Sequence, residues 1–526
     1  ILYIVFHLID FSEELKNKRL YVVDADNFDL SNILAYLSGT LGLRSYLYDN
    51  QIFYHCSYYY ANFSTKIKKI NHDMEQILNL LYSALGFNIE RYFDNMKNYI
   101  FNIPKMISHP SLKKLIQQRK NKNDNAIIVA SGPSLIKQLP LLKENINKAT
   151  IICVDGSYPI LAKHDIKPDY VVCLEQNDLS SEFFNNDFGD FDKNILFIIS
   201  DSAHKKTLEY LEKNNRNYLL ISKNTILHKF FLQLQDFGTL EGLNVSTMAY
   251  SLALKLKHKN IILIGQDLAY DENLNSHPEE FLHGSTLDTN RYELIQTIAY
   301  GGNNKVYTHG AWNTYRQNFE LIIQEALKKN ITTFNCTEGG SRINFTKEIS
   351  FKDACQNLLN NNKIMFFEPL YPISNKNQFE LAKKTYDSLI QILSLADKKT
   401  TQCKEILIPI LKLVEQTSYQ IHLEKIDFAK LLTINNTLHK IKEFLENDDM
   451  IIFSEALTSA LASKETTLAK ISMMSAHTQE EKKIRMIMWI IKHEDWLKTV
   501  IATLENQIFV IKKSLINLKK FIEENQ

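Results

Sequence analysis

The sequence predicts an α/β protein in three parts, and two observations carry that prediction. Between about residues 120 and 345, apolar runs of strand length alternate with segments of helix length, the pattern of a parallel sheet covered on both faces. From about residue 346 the strand-like runs stop and apolar residues recur at helical spacing. The expected divisions are residues 1–118, a small α/β domain with a helical linker; 119–345, the sheet domain; and 346–526, an all-helical bundle.

Composition narrows the function classes. Lys and Arg total 61 against 60 for Asp and Glu, a net charge of +1, so no overall field favours nucleic acid. The abundance of Lys, Asn and Ile with few Gly reads as base-composition bias. The six cysteines, at 56, 153, 173, 336, 355 and 403, form no CxxC pair. Cys153 and Cys173 sit in apolar runs and read as buried free thiols, which fits a reducing, cytoplasmic setting. The chain opens on Ile1 rather than Met, pointing to upstream sequence outside this numbering. The run from Ile1 to Phe6 is too short to span a membrane and has no basic flank to make it a signal peptide.

In chain order, Leu20–Asp24 and Ile52–Cys56 read as strands of the small domain. Tyr58 to Tyr60 are explained by β-propensity and core packing rather than by an aromatic platform. Ile77, Leu80, Leu81 and Leu85 mark a change to helix, which Pro104 and Pro110 are expected to interrupt. The central region then predicts strands at 126–130, 151–155, 170–174, 195–199, 218–221, 261–264 and 331–335, a Rossmann-like arrangement. In such sheets ligands bind beyond the carboxyl ends of the strands. Polar residues gather at those ends: Ser131 to Ser134, Asp155 with Ser157, Glu175 with Asp178, and Asp267 with Tyr270. The first strand ends in Ser131-Gly132-Pro133-Ser134. Gly132 permits a tight turn or close approach, Pro133 suits a first helical turn, and the serines can cap it. A turn of this kind presents backbone donors to an anion such as phosphate; an ordinary strand-to-helix connection has the same signature. In the tail, Thr478 to Glu481 has capping-box form. Leu497, Ile501, Leu504, Ile508, Ile511, Leu515, Leu518 and Ile522 make a three-four seam that fits an internal bundle, a homo-oligomer contact or a docking face equally.

Five stretches in order carry a resemblance: Ala130 to Leu135, Val154 to Ser157, Ile166 to Val172, Leu263 to Tyr270, and Asn335 to Gly340. Together they resemble the core domain of the motility-associated factor (Maf) family of flagellin glycosyltransferases, itself similar to bacterial sialyltransferases that use CMP-activated nonulosonic acids. The resemblance implies a sialyltransferase-like catalytic domain, a cytoplasmic enzyme, a CMP-sugar donor and flagellin Ser/Thr as acceptor, with neither nucleic acid nor membrane as partner. It implies that Gly132, Pro133, Ser134 and Leu135 line phosphate and ribose beside Ser131, which stands where the sialyltransferases have Asn. Asp155 falls at a nucleotide-contacting position, and Glu175, Asn177 and Asp178 at the base-and-ribose edge. Asn244, Ser246 and Thr247 open a helix, Met248–Leu256, facing the CMP. Tyr270 matches a tyrosine that stabilises the departing phosphate, and His309, before Gly310, matches a general base. By its residues alone, His309 reads as a loop histidine with open access, and as readily as a surface or capping one.

No metal cofactor is indicated. His277 and His283, in a lid-length stretch from Asp271 to Ser285, lack a paired motif. Glu175 to Asp178 bears only a faint likeness to a metal-binding acidic motif, and a CMP-sugar's single phosphate needs little neutralisation. Two rivals stand beside the transferase: a pterin pyrophosphokinase-like diphosphotransferase, against which the missing GxxxxGK[ST] loop counts mildly, and a non-catalytic flagellin-binding chaperone.

Overall fold

The structure, a computed structural model, describes residues 2–16, 57, 61–71, 88–223, 226–364, 366–417 and 426–526. The two strands expected before residue 57, Tyr58 to Tyr60, and the helical positions Ile77 to Leu85 lie outside them. The chain divides into two compact units: residues 1–87, 407–436 and 458–499, and residues 88–406, 437–457 and 500–526.

The second unit holds the sheet. Its strands are β1 (Asn125–Val129), β2 (Thr150–Val154), β3 (Tyr170–Cys173), β4 (Leu196–Ser200), β5 (Asn217–Lys223), β6 (Thr239–Leu240), β7 (Asn260–Ile264), β10 (Thr332–Asn335) and β11 (Lys347–Glu348). A separate antiparallel hairpin comprises β8 (Leu294–Ile298) and β9 (Lys305–His309). The nine-stranded sheet runs β11-β10-β7-β1-β2-β3-β4-β5-β6, and every pair in it is parallel. All seven predicted central strands are present. They were readable because a parallel strand buried on both faces is predominantly apolar, as β2 and β4, buried throughout, are.

Strand order reverses between β1 and β7. Successive strands step one way from β1 to β6; the chain then returns to lay β7 on the other side of β1 and continues outward to β11. Open α/β sheets bind ligands beyond the carboxyl ends of the strands at such a reversal, here β1 and β7. The helix Val245–Lys255 covers β1, β2 and β3, with Met248, Ala249, Leu252 and Ala253 fully buried in the core it shares with Ile128, Ile152 and Val172. The helix Gly310–Leu327 packs near β10 through Phe319 and Ile323.

Two expectations are corrected, and one element was not expected. Pro104 does not interrupt its helix, which runs Ile89–Ile107 with the proline inside; a break comes only at Pro110, ahead of Leu112–Arg119. The region from 346 is not wholly helical, because β11 adds an edge strand and residues 359–364 and 366–374 are without helix. The hairpin was not foreseen. The capping box read at Thr478 is present. Thr478 Oγ1 accepts from Glu481 N–H at 3.1 Å while Glu481 accepts from Thr478 N–H at 3.0 Å, opening the helix Gln479–Glu524. Leu497, Leu504, Ile511 and Leu518 along its seam are fully buried.

Candidate functional site

The first predicted loop follows β1 directly and is built tightly against the residues that follow β7. Gly132 N–H donates to the Gly265 carbonyl at 2.8 Å. Ser134 N–H and Oγ both donate to Asp267 Oδ2, at 3.3 and 2.7 Å. A Cβ on Gly132 would stand 2.1 Å from Asp267 Oδ2 and 2.5 Å from the Gly265 carbonyl, so the position accepts no side chain. Gly265 and Gly340, with φ of +61° and +70°, have left-handed backbones against Ala130 and Asp267 respectively. Ser341 closes the arrangement, its N–H donating to the Asp267 carbonyl at 2.7 Å.

These contacts change the expected role of the turn. The donors that the sequence assigned to a phosphate are occupied by the chain's own groups, with the Asp267 carboxylate standing where an anion would. Burial pushes that carboxyl up to about 6, against the pull of the Ser134 bonds and the Lys137 charge. Leu135 is fully buried beneath Gly265 and belongs to the core rather than to a ligand surface. Ser131, half-buried beside Gly156, has no hydrogen-bond partner for its hydroxyl among the described residues.

The end of β2 supplies a second feature. Asp155 is buried, its Oδ1 accepts from Gly156 N–H at 2.8 Å, and its Oδ2 has no partner among the described residues. Burial pushes this carboxyl up to about 7; the Gly156 bond opposes the rise, and the charge of Glu175 adds to it. Ser157 turns inward instead, its hydroxyl donating to the Val129 carbonyl at 3.1 Å. Gly156 lies under Phe281, whose ring would be 2.7 Å from a Cβ there. Phe281 belongs to the predicted lid and stacks on His277 at 3.9 Å. The lid therefore reaches the ends of β1 and β2.

Of the acidic group after β3, Glu175 acts electrostatically on Asp155 and Tyr315. Asn177 caps the short helix Asp178–Ser181 by accepting from Ser180 N–H at 2.8 Å. Asp178 is exposed and paired with Lys206 at 2.7 Å. Asn244 and Thr247 form a reciprocal capping box on Val245–Lys255, and Ser246 and Thr247 are buried. These residues shape the helices that follow β3 and β6.

His309 is the last residue of β9 and the cap position of Gly310–Leu327. It is not on an open loop as its sequence context suggested. It is only 2% exposed, and neither ring nitrogen has a hydrogen-bond partner among the described residues. Three aromatic rings account for the burial. Tyr292 stacks on the imidazole at 4.3 Å, Trp312 lies at 4.2 Å, and Tyr270 at 6.0 Å. Burial pulls the imidazole down to about 4, so it is neutral at pH 7. Tyr270 is itself anchored, its hydroxyl donating to the Asp288 carbonyl at 3.0 Å and its N–H to the Tyr307 carbonyl at 2.8 Å.

Sequence reasoning missed the aromatic box of Tyr292 and Trp312. The one available signal was Trp312, three residues after His309 on a helix and therefore on a neighbouring face. It also missed Lys137, whose ammonium donates to the Glu338 carbonyl at 2.6 Å and whose charge acts on Asp267. Among the described residues no group of three or more His, Cys, Asp or Glu is placed to hold a metal ion. No helix among them is long and apolar enough to cross a membrane.

Fold and site together define a doubly wound α/β protein with a cluster of polar residues at the switch point of its sheet. A family model described as 6-hydroxymethylpterin diphosphokinase MptE-like matches residues 97–273, less than half of the chain. Among solved structures, the chain is similar to a Maf glycosyltransferase from Magnetospirillum magneticum AMB-1. The TM-score is 0.54 at 16% identity, over 87% of this chain and 66% of that one, a likeness of fold. No curated protein matches the sequence.

Proposed function

We propose that the chain is a glycosyltransferase moving a nonulosonic acid, of pseudaminic or legionaminic type, from its CMP form to Ser/Thr hydroxyls of flagellin. The reaction would take place in the cytoplasm before export, in the service of flagellar assembly and motility. The fold shared with a Maf glycosyltransferase supports this reading, as does the resemblance in the five stretches quoted above. The observation that carries it is a pair of buried polar groups, His309 with both ring nitrogens unpartnered among the described residues and Asp155 with one carboxylate oxygen unpartnered. Buried polar groups left unsatisfied in a native fold call for an explanation, and a catalytic role is one.

In this mechanism the acceptor oxygen attacks the anomeric carbon as the bond from that carbon to the phosphate oxygen breaks, and CMP departs. The hydroxyl proton passes to His309, whose neutral ring has a free acceptor nitrogen. Ser131 and Asp155 border the nucleotide, Glu175 lies at its outer edge, and Tyr270 lies beside His309. A positioned base of this kind contributes about 10²–10⁴-fold in rate.

The family-model match to 97–273 favours one other reading, diphosphate transfer from a nucleoside triphosphate. Calorimetric titration with CMP and with ATP separates the two: CMP binding is expected, whereas tight ATP binding without a CMP response would favour the kinase. The transferase itself is tested by intact mass of flagellin co-expressed with this protein and a donor pathway. His309→Ala should abolish the added mass, and a glycan that persists undiminished removes His309 from the mechanism.

A further inference from the structure

The hairpin that ends at His309 has an edge whose far end is paired by the chain's own residues 340–342, through the antiparallel bridge of Ala299 with Ser341 and the Tyr300 N–H bond to the Gly340 carbonyl at 2.9 Å, and whose near end is open among the described residues. Its strands pair antiparallel, with Leu294 opposite His309, Gln296 opposite Tyr307 and Ile298 opposite Lys305. Ala299 N–H donates to the Asn304 carbonyl at 2.9 Å, which fixes the phase of the ladder. Residues 295 and 297 exchange bonds with β9, while 294, 296 and 298 turn their backbone groups outward. On the β9 side the outward Tyr307 carbonyl is taken by Tyr270 N–H. On the β8 side the Ile298 carbonyl accepts from Arg342 N–H at 2.8 Å, but the outward N–H and carbonyl groups of Leu294 and Gln296 have no partner among the described residues.

The side chains make this edge more unusual. Proteins protect an open edge with charges, proline or a bulge, and β8, Leu-Ile-Gln-Thr-Ile, has none of these. Leu294 is 40% exposed, Ile298 54% and Tyr307 46%. Cross-strand partners and alternate residues share a face, so these three form an apolar row on the face that ends at His309.

We infer that this edge takes an extended polypeptide segment as a third strand, and that the segment is the acceptor. The identification of the segment as acceptor rests on the transferase reading; the strand addition does not. The backbone selects the class of partner. Outward N–H and carbonyl groups repeating every two residues, about 6.8 Å, are matched by another extended peptide backbone and by neither a sugar nor a lipid. The apolar row selects a segment with apolar or β-branched residues at alternate positions. Laid along β8, such a segment is led to the end of the hairpin where Leu294 faces His309, which brings a Ser or Thr beyond its paired stretch toward the imidazole.

The test uses the full chain and short fluorescent peptides of alternating Thr and Val with a central Ser. Peptides N-methylated at alternate backbone positions are made in both phases. One phase should lose binding and the other should bind as the parent does, because only one set of N–H groups faces β8. Gln296→Pro removes an outward N–H and leaves the hairpin's own bonds intact, an edge-strand position that tolerates proline. It should weaken peptide binding about tenfold. Equal binding by both methylated phases, wild-type affinity in Gln296→Pro with an unchanged melting curve, or no peptide binding at all each overturns the strand addition. The methylated series needs no variant, so a folding failure of Gln296→Pro leaves the test intact. Phase-dependent binding without glycan transfer upholds the dock and removes the transferase reading; transfer with phase-independent binding does the reverse.

Discussion

Replacing Asp155 with Asn should stabilise the protein, and by an amount that depends on pH in a prescribed way. The carboxyl is buried with one oxygen unpartnered, and burial lifts it from its ordinary 3.8 to about 7. A carboxyl whose folded value lies above its unfolded one binds its proton more tightly when folded. Its contribution is therefore fully present below about pH 4 and is lost as pH rises through about 7. The interval from 3.8 to about 7, at about 1.4 kcal/mol per pH unit, comes to roughly 4 kcal/mol as the cost of holding the charge at alkaline pH. Asn carries no charge and escapes that cost. Chemical denaturation of wild type and Asp155→Asn at a series of pH values gives the difference, in which the other titrating groups largely cancel. The advantage of the variant should grow steadily from pH 4 to 7 and then level off. A difference flat across that range, or one growing toward acid, would refute the argument that burial dominates at this carboxyl.

Three further outcomes follow from the same geometry. Gly132→Ala forces a Cβ to within 2.1 Å of Asp267 Oδ2 and 2.5 Å of the Gly265 carbonyl, and should cost about 1–3 kcal/mol in denaturation, the range of overpacked sites. Arg216→Ala leaves Asp192 charged and buried, since the pair meets at 2.8 Å with side chains 0% and 6% exposed. The loss should be about 3–5 kcal/mol in the same assay, and a loss below about 1 kcal/mol would mean that Asp192 takes up a proton instead. For the proposed transfer, kcat/KM should hold its value from pH 7 down toward 5 so far as His309 is concerned, because a base held at about 4 keeps its free form there. An acid limb near the ordinary 6.5 of an imidazole in the wild-type profile would place the ring in water rather than among Tyr292 and Trp312.

The sheet was legible because most central strands carry a run of three or more apolar residues between polar stretches, as burial on both faces favours. The hairpin was not, because β8 alternates exposed and half-buried residues outside the main core, and a five-residue alternation carries little signal by itself. The site divides along similar lines. Polar residues after β1, β2 and β7 could be placed at one edge from strand ends alone. That Asp267 would claim the donors of Ser134, 133 positions earlier in the chain, has no local signature, since it follows from β7 lying beside β1. The same applies to His309: nothing adjacent announces its burial, because Tyr292 and Tyr270 come from other segments and only Trp312 is near in sequence.

Burial acts on Asp155 and His309 in opposite senses for one reason. It disfavours charge of either sign, raising a carboxyl and lowering an imidazole. Between about pH 4 and about pH 7 the free protein therefore holds Asp155 protonated and His309 unprotonated. Groups separated in this way are assigned their acid and base roles by their surroundings. An imidazole held near 4 is a weak base, which argues against a strong proton pull in the empty site. A bound anion alters that, because a nearby negative charge favours the imidazolium and raises the basicity of the ring. A nonulosonate donor would bring both a carboxylate and a phosphate, and a protonated Asp155 would not repel them. On the proposed reading, the base is therefore weak in the empty site and gains its strength from the donor it serves.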